Sequence, residues 1–132
     1  YEFLNLSGIR TDGLFIEDGS GLSPLNSVNA KGIASLLYFM KSRGKYFSEF
    51  YSSLPEAGKE GTLKSHFLDP VFESRMKAKG GSMTRVRSYA GYLTTKSGKE
   101  LIFCIIVNNF SGPPQKINSH IEEILKETIQ SD

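Results

Sequence analysis

The sequence predicts an α+β domain: helices first, then an antiparallel sheet, then a helix that covers it. Three observations predict it. Ile33, Leu36, Leu37 and Met40 recur at helical spacing. Three strand-like segments follow one another between Arg75 and Val107, joined by short turns. After Pro113-Pro114, Ile117, Ile121, Ile124, Leu125 and Ile129 form an apolar stripe on a last helix. The chain has 132 residues, 39% apolar and 23% charged, which suits one domain with one core.

Tyr1 to Leu6 is too short to assign, and Gly8 and Asp12-Gly13 punctuate a loop. Leu14-Phe15-Ile16 is a short strand or buried connector, and a glycine-rich turn runs from Asp18 to Ser23. A helix starts near Asn29, capped by Ser27 or Asn29, because their side-chain oxygens accept free backbone N–H groups. Gly44 ends it. Tyr46, Phe47, Phe50 and Tyr51 predict a second short helix with a core-facing aromatic side. Leu54 to Leu63 has loop chemistry from one proline and two glycines, and Thr62 is expected to cap a short turn reaching His66.

Strands are expected over Arg75–Ser82 and Val86–Thr95, the second with Tyr89 and Leu93 on one face and Tyr92 on the other. Lys96-Ser97-Gly98-Lys99 is a hairpin turn. Leu101 to Val107 is apolar throughout, which predicts a central strand covered on both faces. Ser119 and Glu122 have capping-box spacing at the start of the last helix.

Composition excludes some functions. A net charge of +2 is too small to argue for nucleic acid or an anionic membrane. Basic residues do gather from Arg75 to Arg87, as a solvated strand edge or an anion site. No apolar stretch approaches the ~20 residues needed to span a bilayer. The single cysteine, Cys104, sits in an apolar strand and reads as a buried, inert thiol. His66 and His120 are far apart, without cysteine or carboxylate at ligand spacing, so no metal site is expected. Glu17 and Asp18 are adjacent, and adjacent side chains diverge, so Asp18 is expected to bond its own turn rather than to form an acid/base pair.

Two strings carry chemistry. Asp18-Gly19-Ser20-Gly21-Leu22-Ser23, followed by Asn26, is a glycine-rich turn with hydroxyls. Lys79-Gly80-Gly81-Ser82 puts a cation beside backbone that a ligand can approach closely, since glycine adds no side chain. Free strand N–H groups there can pair with an extended peptide or polarise a carbonyl. The run from Lys77 to Leu93 resembles the Lys-Thr-Gly strand and the strand after it in D-Ala-D-Ala carboxypeptidases, closest to the low-molecular-mass class C penicillin-binding proteins. Asp18 to Ser23 and Leu54-Pro55-x-Ala57-Gly58-x-x-Gly61-Thr62-Leu63 resemble the same family, in the family's order, over nearly the whole chain.

The resemblance implies the C-terminal part of a penicillin-binding-protein/serine β-lactamase-like fold, with residues 1–132 as one domain. It implies acyl transfer through a serine ester on peptidoglycan stem peptides, with β-lactams as acylating inhibitors and no metal or organic cofactor. In the second family motif, Ser-x-Asn, the matching residues are Ser23 and Asn26, two residues apart instead of one, with Ser20 in reserve. A helix-capping serine and asparagine in a tight loop remains the plainer alternative. Lys79 matches the lysine that sets the electrostatics, and Gly80 stands where the family has threonine. Gly81 follows, and Ser82 matches the backbone donor to the oxyanion. Ser82 or Arg85 is expected to compensate for the missing threonine hydroxyl, and Gly80→Thr to improve cleavage.

The nucleophile motif, Ser-x-x-Lys, should lie upstream of these strings. Ser42-Arg43-Gly44-Lys45 has its spelling but closes a helix after the second motif. The chain alone is therefore expected to be inactive and, with an open sheet edge, prone to self-association. The resemblance places the parent protein in the periplasm or outside the bacterial membrane. Two other readings stay open: a serine β-lactamase, and a non-catalytic homologue that binds cell-wall peptides or a partner.

Overall fold

The computed structural model describes residues 1–131. Four helices and one sheet appear in the order α1 (Glu2–Leu6), α2 (Ala30–Arg43), α3 (Phe47–Ser53), β1 (Met76–Met83), β2 (Val86–Thr94), β3 (Glu100–Asn108) and α4 (Pro114–Gln130). Single 3-10 turns at Gly61–Leu63 and Pro70–Phe72 lie between α3 and β1. The sheet is an antiparallel meander, β1-β2-β3. The α+β class and the order of elements agree with the sequence reading.

Alternation along the strands builds a core on each face. Met76, Ala78, Tyr89 and Leu93 face one way and pack with Ile121, Leu125 and Ile129 of α4. Tyr92 faces the other way and packs with Leu37 of α2 and Leu54, flanked by Phe47, Phe50 and Ile102. Each fully buried leucine or isoleucine contributes about 1.5–3 kcal/mol relative to exposure. Gly91 holds β1 and β2 in register, because a Cβ there would stand 2.2 Å from the Lys77 carbonyl oxygen.

Tyr92 ties α2 to the sheet. Its ring meets Phe47 edge-on at 5.5 Å, and its hydroxyl donates to the Leu37 carbonyl at 2.8 Å. At the start of α2, the Asn29 side chain accepts from the Gly32 N–H at 2.7 Å, so Asn29 is the cap. Gly44 ends α2, but with φ −69° rather than a left-handed turn. It must be glycine because a Cβ would lie 2.4 Å from the Met40 carbonyl oxygen.

Several expectations are corrected. β3 is an edge strand rather than a central one, and its apolar side chains from Leu101 to Val107 are half-buried. Ser119 and Glu122 do not cap α4, which begins at Pro114. The Ser119 hydroxyl bonds the Gln115 carbonyl within the helix, and Glu122 accepts from the Phe67 N–H at 3.0 Å. Ile124 is exposed, so the α4 stripe is narrower than predicted. Thr62 lies inside its 3-10 turn, whose cap position is Glu60. Cys104 is half-buried, and burial raises its thiol pKa.

Burial pushes the Tyr92 hydroxyl from its ordinary 10.0 up to about 12. A group whose folded pKa is raised stabilises the fold below its unfolded pKa and loses that contribution as pH rises through the folded value. Stability should therefore fall between pH 10.0 and about 12. Tyr92→Phe should flatten this part of the profile relative to the wild type in denaturant melts at each pH. Parallel profiles for the two proteins would contradict the assignment.

Candidate active site

The loop bearing the first string is organised around one carboxylate. Asp18 accepts from the Gly21 N–H at 3.1 Å, the Ser23 N–H at 3.2 Å, the Ser20 hydroxyl at 2.8 Å and the Asn26 amide at 2.7 Å. The Asn26 amide, then the Ser20 hydroxyl, hold the Asp18 carboxyl below the usual carboxylate range. Asn26 also closes the loop from its other end, its Oδ1 accepting from the Glu17 N–H at 2.8 Å. A two-stranded contact, Phe15 with Ser27, clamps the loop base. The plan is a turn wound on an anion, which positions backbone and hydroxyls without a core beneath.

The second string lies on β1, and β1 is an edge split in two. Along its first half, the Ala57 N–H donates to the Met76 carbonyl and the Ala78 N–H to the Pro55 carbonyl, both at 3.0 Å. In an antiparallel strand these outward groups alternate with those that pair inward. Gly80 and Ser82 therefore also point their N–H and C=O groups away from β2, and there no backbone segment covers them among the described residues. The Lys79 ammonium donates to the outward Gly80 carbonyl at 2.7 Å. An open edge with two free donors and a cation suits an extended, anionic peptide.

A cleft of about 750 Å³ lies along this open edge. Ser20, Gly21 and Leu22 of the loop line it, with Thr62 and His66 of the turn and Lys79, Gly80, Gly81 and Ser82 of β1. Arg87 and Ser88 of β2 border it, and Val28, Ile33, Ala90, Cys104 and Ile106 give it an apolar floor. Among the described residues no aspartate or glutamate lines it, whereas Lys79 and Arg87 do, so the cleft favours an anion.

The sequence-predicted residues separate into two groups. Lys79, Gly80, Gly81, Ser82 and the reserve serine Ser20 meet at the cleft. Ser23, Asn26 and Arg85 do not line it. Ser23 Oγ accepts from the Leu25 N–H at 3.2 Å, and the Asn26 side chain is spent on closing the loop. Arg85 sits at φ +58° in the β1–β2 turn and donates to the Phe110 carbonyl. The arginine at the cleft is Arg87, which bonds the Ser82 hydroxyl and lies over the Phe110 ring at 5.8 Å. Ser42 donates to the Tyr38 carbonyl at the end of α2 and lies outside the cleft lining. Arg87, Thr62 and His66 were visible as residue types, but no local pattern shows that a turn near residue 62 packs beside residue 80.

Comparison with known proteins agrees with this architecture. The meander with α4 on one face and α2 and α3 on the other is penicillin-binding-protein-like. It superposes on penicillin binding protein 4 (dacB) from Haemophilus influenzae with a TM-score of 0.86 at 24% identity, over 98% of this chain and 30% of that one. A form complexed with a novel β-lactam matches with a TM-score of 0.87 at 24% identity, over 98% of this chain and 32% of that one. Residues 1–128 match the D-Ala-D-Ala carboxypeptidase 3 (S13) family, and the chain belongs to that family. It is 37% identical to the D-alanyl-D-alanine carboxypeptidase of Actinomadura sp. (strain R39) over 117 residues, 85% of this chain and 21% of that protein. It is 32% identical to D-alanyl-D-alanine carboxypeptidase DacB of Haemophilus influenzae over 111 residues, 82% of this chain and 23% of that protein. The chain thus spans about a fifth to a quarter of these relatives.

Position 80 is constrained by its neighbour across the sheet. A Cβ at Gly80 would lie 3.1 Å from Cε1 of Tyr89, whose ring is buried edge-on against Phe67 at 5.0 Å. The simple expectation for Gly80→Thr therefore changes. Gly80→Thr alone should destabilise the protein, by about 1–3 kcal/mol for an overpacked site, and adding Tyr89→Leu should recover part of the loss. Denaturant melts of the three proteins check this; an unchanged single variant would show that the ring yields freely.

Proposed function

We propose that residues 1–132 are the C-terminal part of the catalytic domain of a serine-type D-Ala-D-Ala carboxypeptidase/endopeptidase acting on peptidoglycan stem peptides. The observation that carries the proposal is the open half of β1, where Lys79 adjoins the outward N–H groups of Gly80 and Ser82. A stem peptide lies antiparallel to this edge, with its terminal carboxylate toward the cationic end of the cleft.

The chemistry needs a serine from a Ser-x-x-Lys segment, and the apolar floor made by Ile33, Ala90, Cys104 and Ile106 is where a helix bearing it packs. The motif's lysine takes the serine proton as the serine oxygen bonds to the carbonyl carbon of the penultimate D-alanine. The Ser82 N–H receives the developing oxyanion, and such a donor is typically worth ~10²–10³ in rate. The C–N bond breaks, and a loop hydroxyl relays the proton from that lysine to the departing amine. Ser23 has this role by motif position and Ser20 by its place in the cleft. Water then hydrolyses the ester. Lys79 sets the potential that favours these anionic species. β-Lactams acylate the same serine, and the parent protein acts in the periplasm or outside the bacterial membrane. Without the nucleophile segment, the 132 residues alone are inactive, and the uncovered β3 edge favours self-association.

Fluorescent penicillin should label the full-length protein stably at the Ser-x-x-Lys serine, as mass spectrometry of the labelled peptide would show, and should not label residues 1–132 alone. Losing a nucleophile typically removes several orders of magnitude of rate. Labelling of the isolated chain would contradict its inactivity. A full-length protein that binds stem peptides without labelling would be a binding homologue, the reading that Gly80 favours. Rapid turnover of penicillin would mark a β-lactamase.

A further inference from the structure

We infer that Thr62 supplies the carboxylate-binding hydroxyl that position 80 lacks, an assignment that rests on the proposed function. Thr62 Oγ1 lies 3.6 Å from the point where a Cβ would stand on Gly80. The hydroxyl therefore opens on the small volume that a side chain at 80 would otherwise reach into. On the other side of that volume stands the Tyr89 ring, 3.1 Å from the same point. The two neighbours divide the space: the ring fills it with carbon, and the threonine borders it with a donor.

The hydroxyl is held by the backbone beneath it. Leu63, the next residue, is fully buried in the α4-side core. Its carbonyl accepts from the Gly58 N–H at 3.2 Å, and its N–H donates to Glu60 at 3.0 Å. Gly61 packs so tightly that a Cβ would lie 3.0 Å from Cγ of Pro55, and the Pro55 carbonyl pairs with Ala78 of β1. The turn is thus registered on β1 two residues before Gly80. Thr62 is positioned by this packing, so its donor needs no reorganisation to meet an anion.

The surroundings suit a carboxylate. Lys79, Arg87 and His66 line the cleft with Thr62, and no acidic side chain does among the described residues. A hydrogen bond from a neutral hydroxyl to a carboxylate is charge-assisted and stronger than a neutral pair. Thr62 is a specificity-determining residue in this scheme: it recognises the peptide's free carboxyl end and takes no part in bond making.

The test measures binding, so that it stands apart from turnover. Full-length protein with the serine of its Ser-x-x-Lys replaced by alanine is titrated by fluorescence anisotropy. The ligands are a labelled peptide ending in D-Ala-D-Ala carboxylate and the same peptide as its C-terminal amide. Thr62→Val keeps the shape and removes the donor. It should weaken carboxylate binding about tenfold to a hundredfold and leave amide binding unchanged. Thr62→Ser should restore the preference, and all three proteins should melt together. An unchanged acid-over-amide preference in Thr62→Val, an equal loss for both peptides, or no preference in the parent protein would overturn the assignment. Failure of penicillin to label the unsubstituted protein would instead count against the acyl-enzyme reading alone.

Discussion

The structure depends on how the outer edge of β1 is divided. A strand edge presents donors and acceptors in alternation, and buried ones must be paired. Pro55 to Ala57 pairs with the first half, at Met76 and Ala78, and buries it. The pairing is antiparallel, Glu56 facing Lys77, so the position facing Gly80 falls at Ser53, the last residue of α3. From Gly80 onward no backbone segment pairs with the edge among the described residues. The same short segment thus closes the core at one end of the strand and opens a cleft at the other. Were the pairing to extend back from Pro55 to Ser53, the Gly80 N–H would be spent inside the protein.

Close approach along β1 and β2 makes this arrangement possible. Gly91 lets β2 lie against Lys77 and Ala78, and a Cβ at Gly81 would fall 2.6 Å from the Ser88 hydroxyl. With the register fixed, Tyr89 and Tyr92 point to opposite faces and recruit α4 and α2 respectively. The open half of β1 lies beside Lys79 and Arg87. The outer edge of β3 is unpaired among the described residues, and its side chains from Leu101 to Val107 are apolar and half-buried, which suits packing rather than recognition.

Much of the fold was legible because it follows from local period and capping. The α2 start at Asn29, the two faces of β2 and the hairpin at Lys96–Lys99 needed only short-range chemistry. What failed had long-range causes. An apolar run such as Leu101–Val107 looks the same whether a strand is central or awaits a partner, and sequence carries no sign of which. Ser119 and Glu122 have cap spacing, yet Pro114 starts the helix earlier, and Glu122 is used to hold Phe67 across the core. The site was legible as two strings because glycine, lysine and serine cluster there. Its third wall was hidden, since Thr62 reaches Gly80 only through the packing of Pro55, Gly61 and Leu63. Arg87 was visible only as one member of a basic run, and the turn at Arg85 decides which arginine meets the cleft.

The divided edge has a direct readout in amide hydrogen exchange along β1, resolved residue by residue. Ala78 should be protected by Pro55, and Lys79 and Gly81 by β2, while Gly80 and Ser82 exchange rapidly. A protected–open alternation beginning at Gly80 is expected. Uniform protection from Met76 to Met83 would show that another segment covers the edge. The cleft, and every role assigned to it, would then be contradicted.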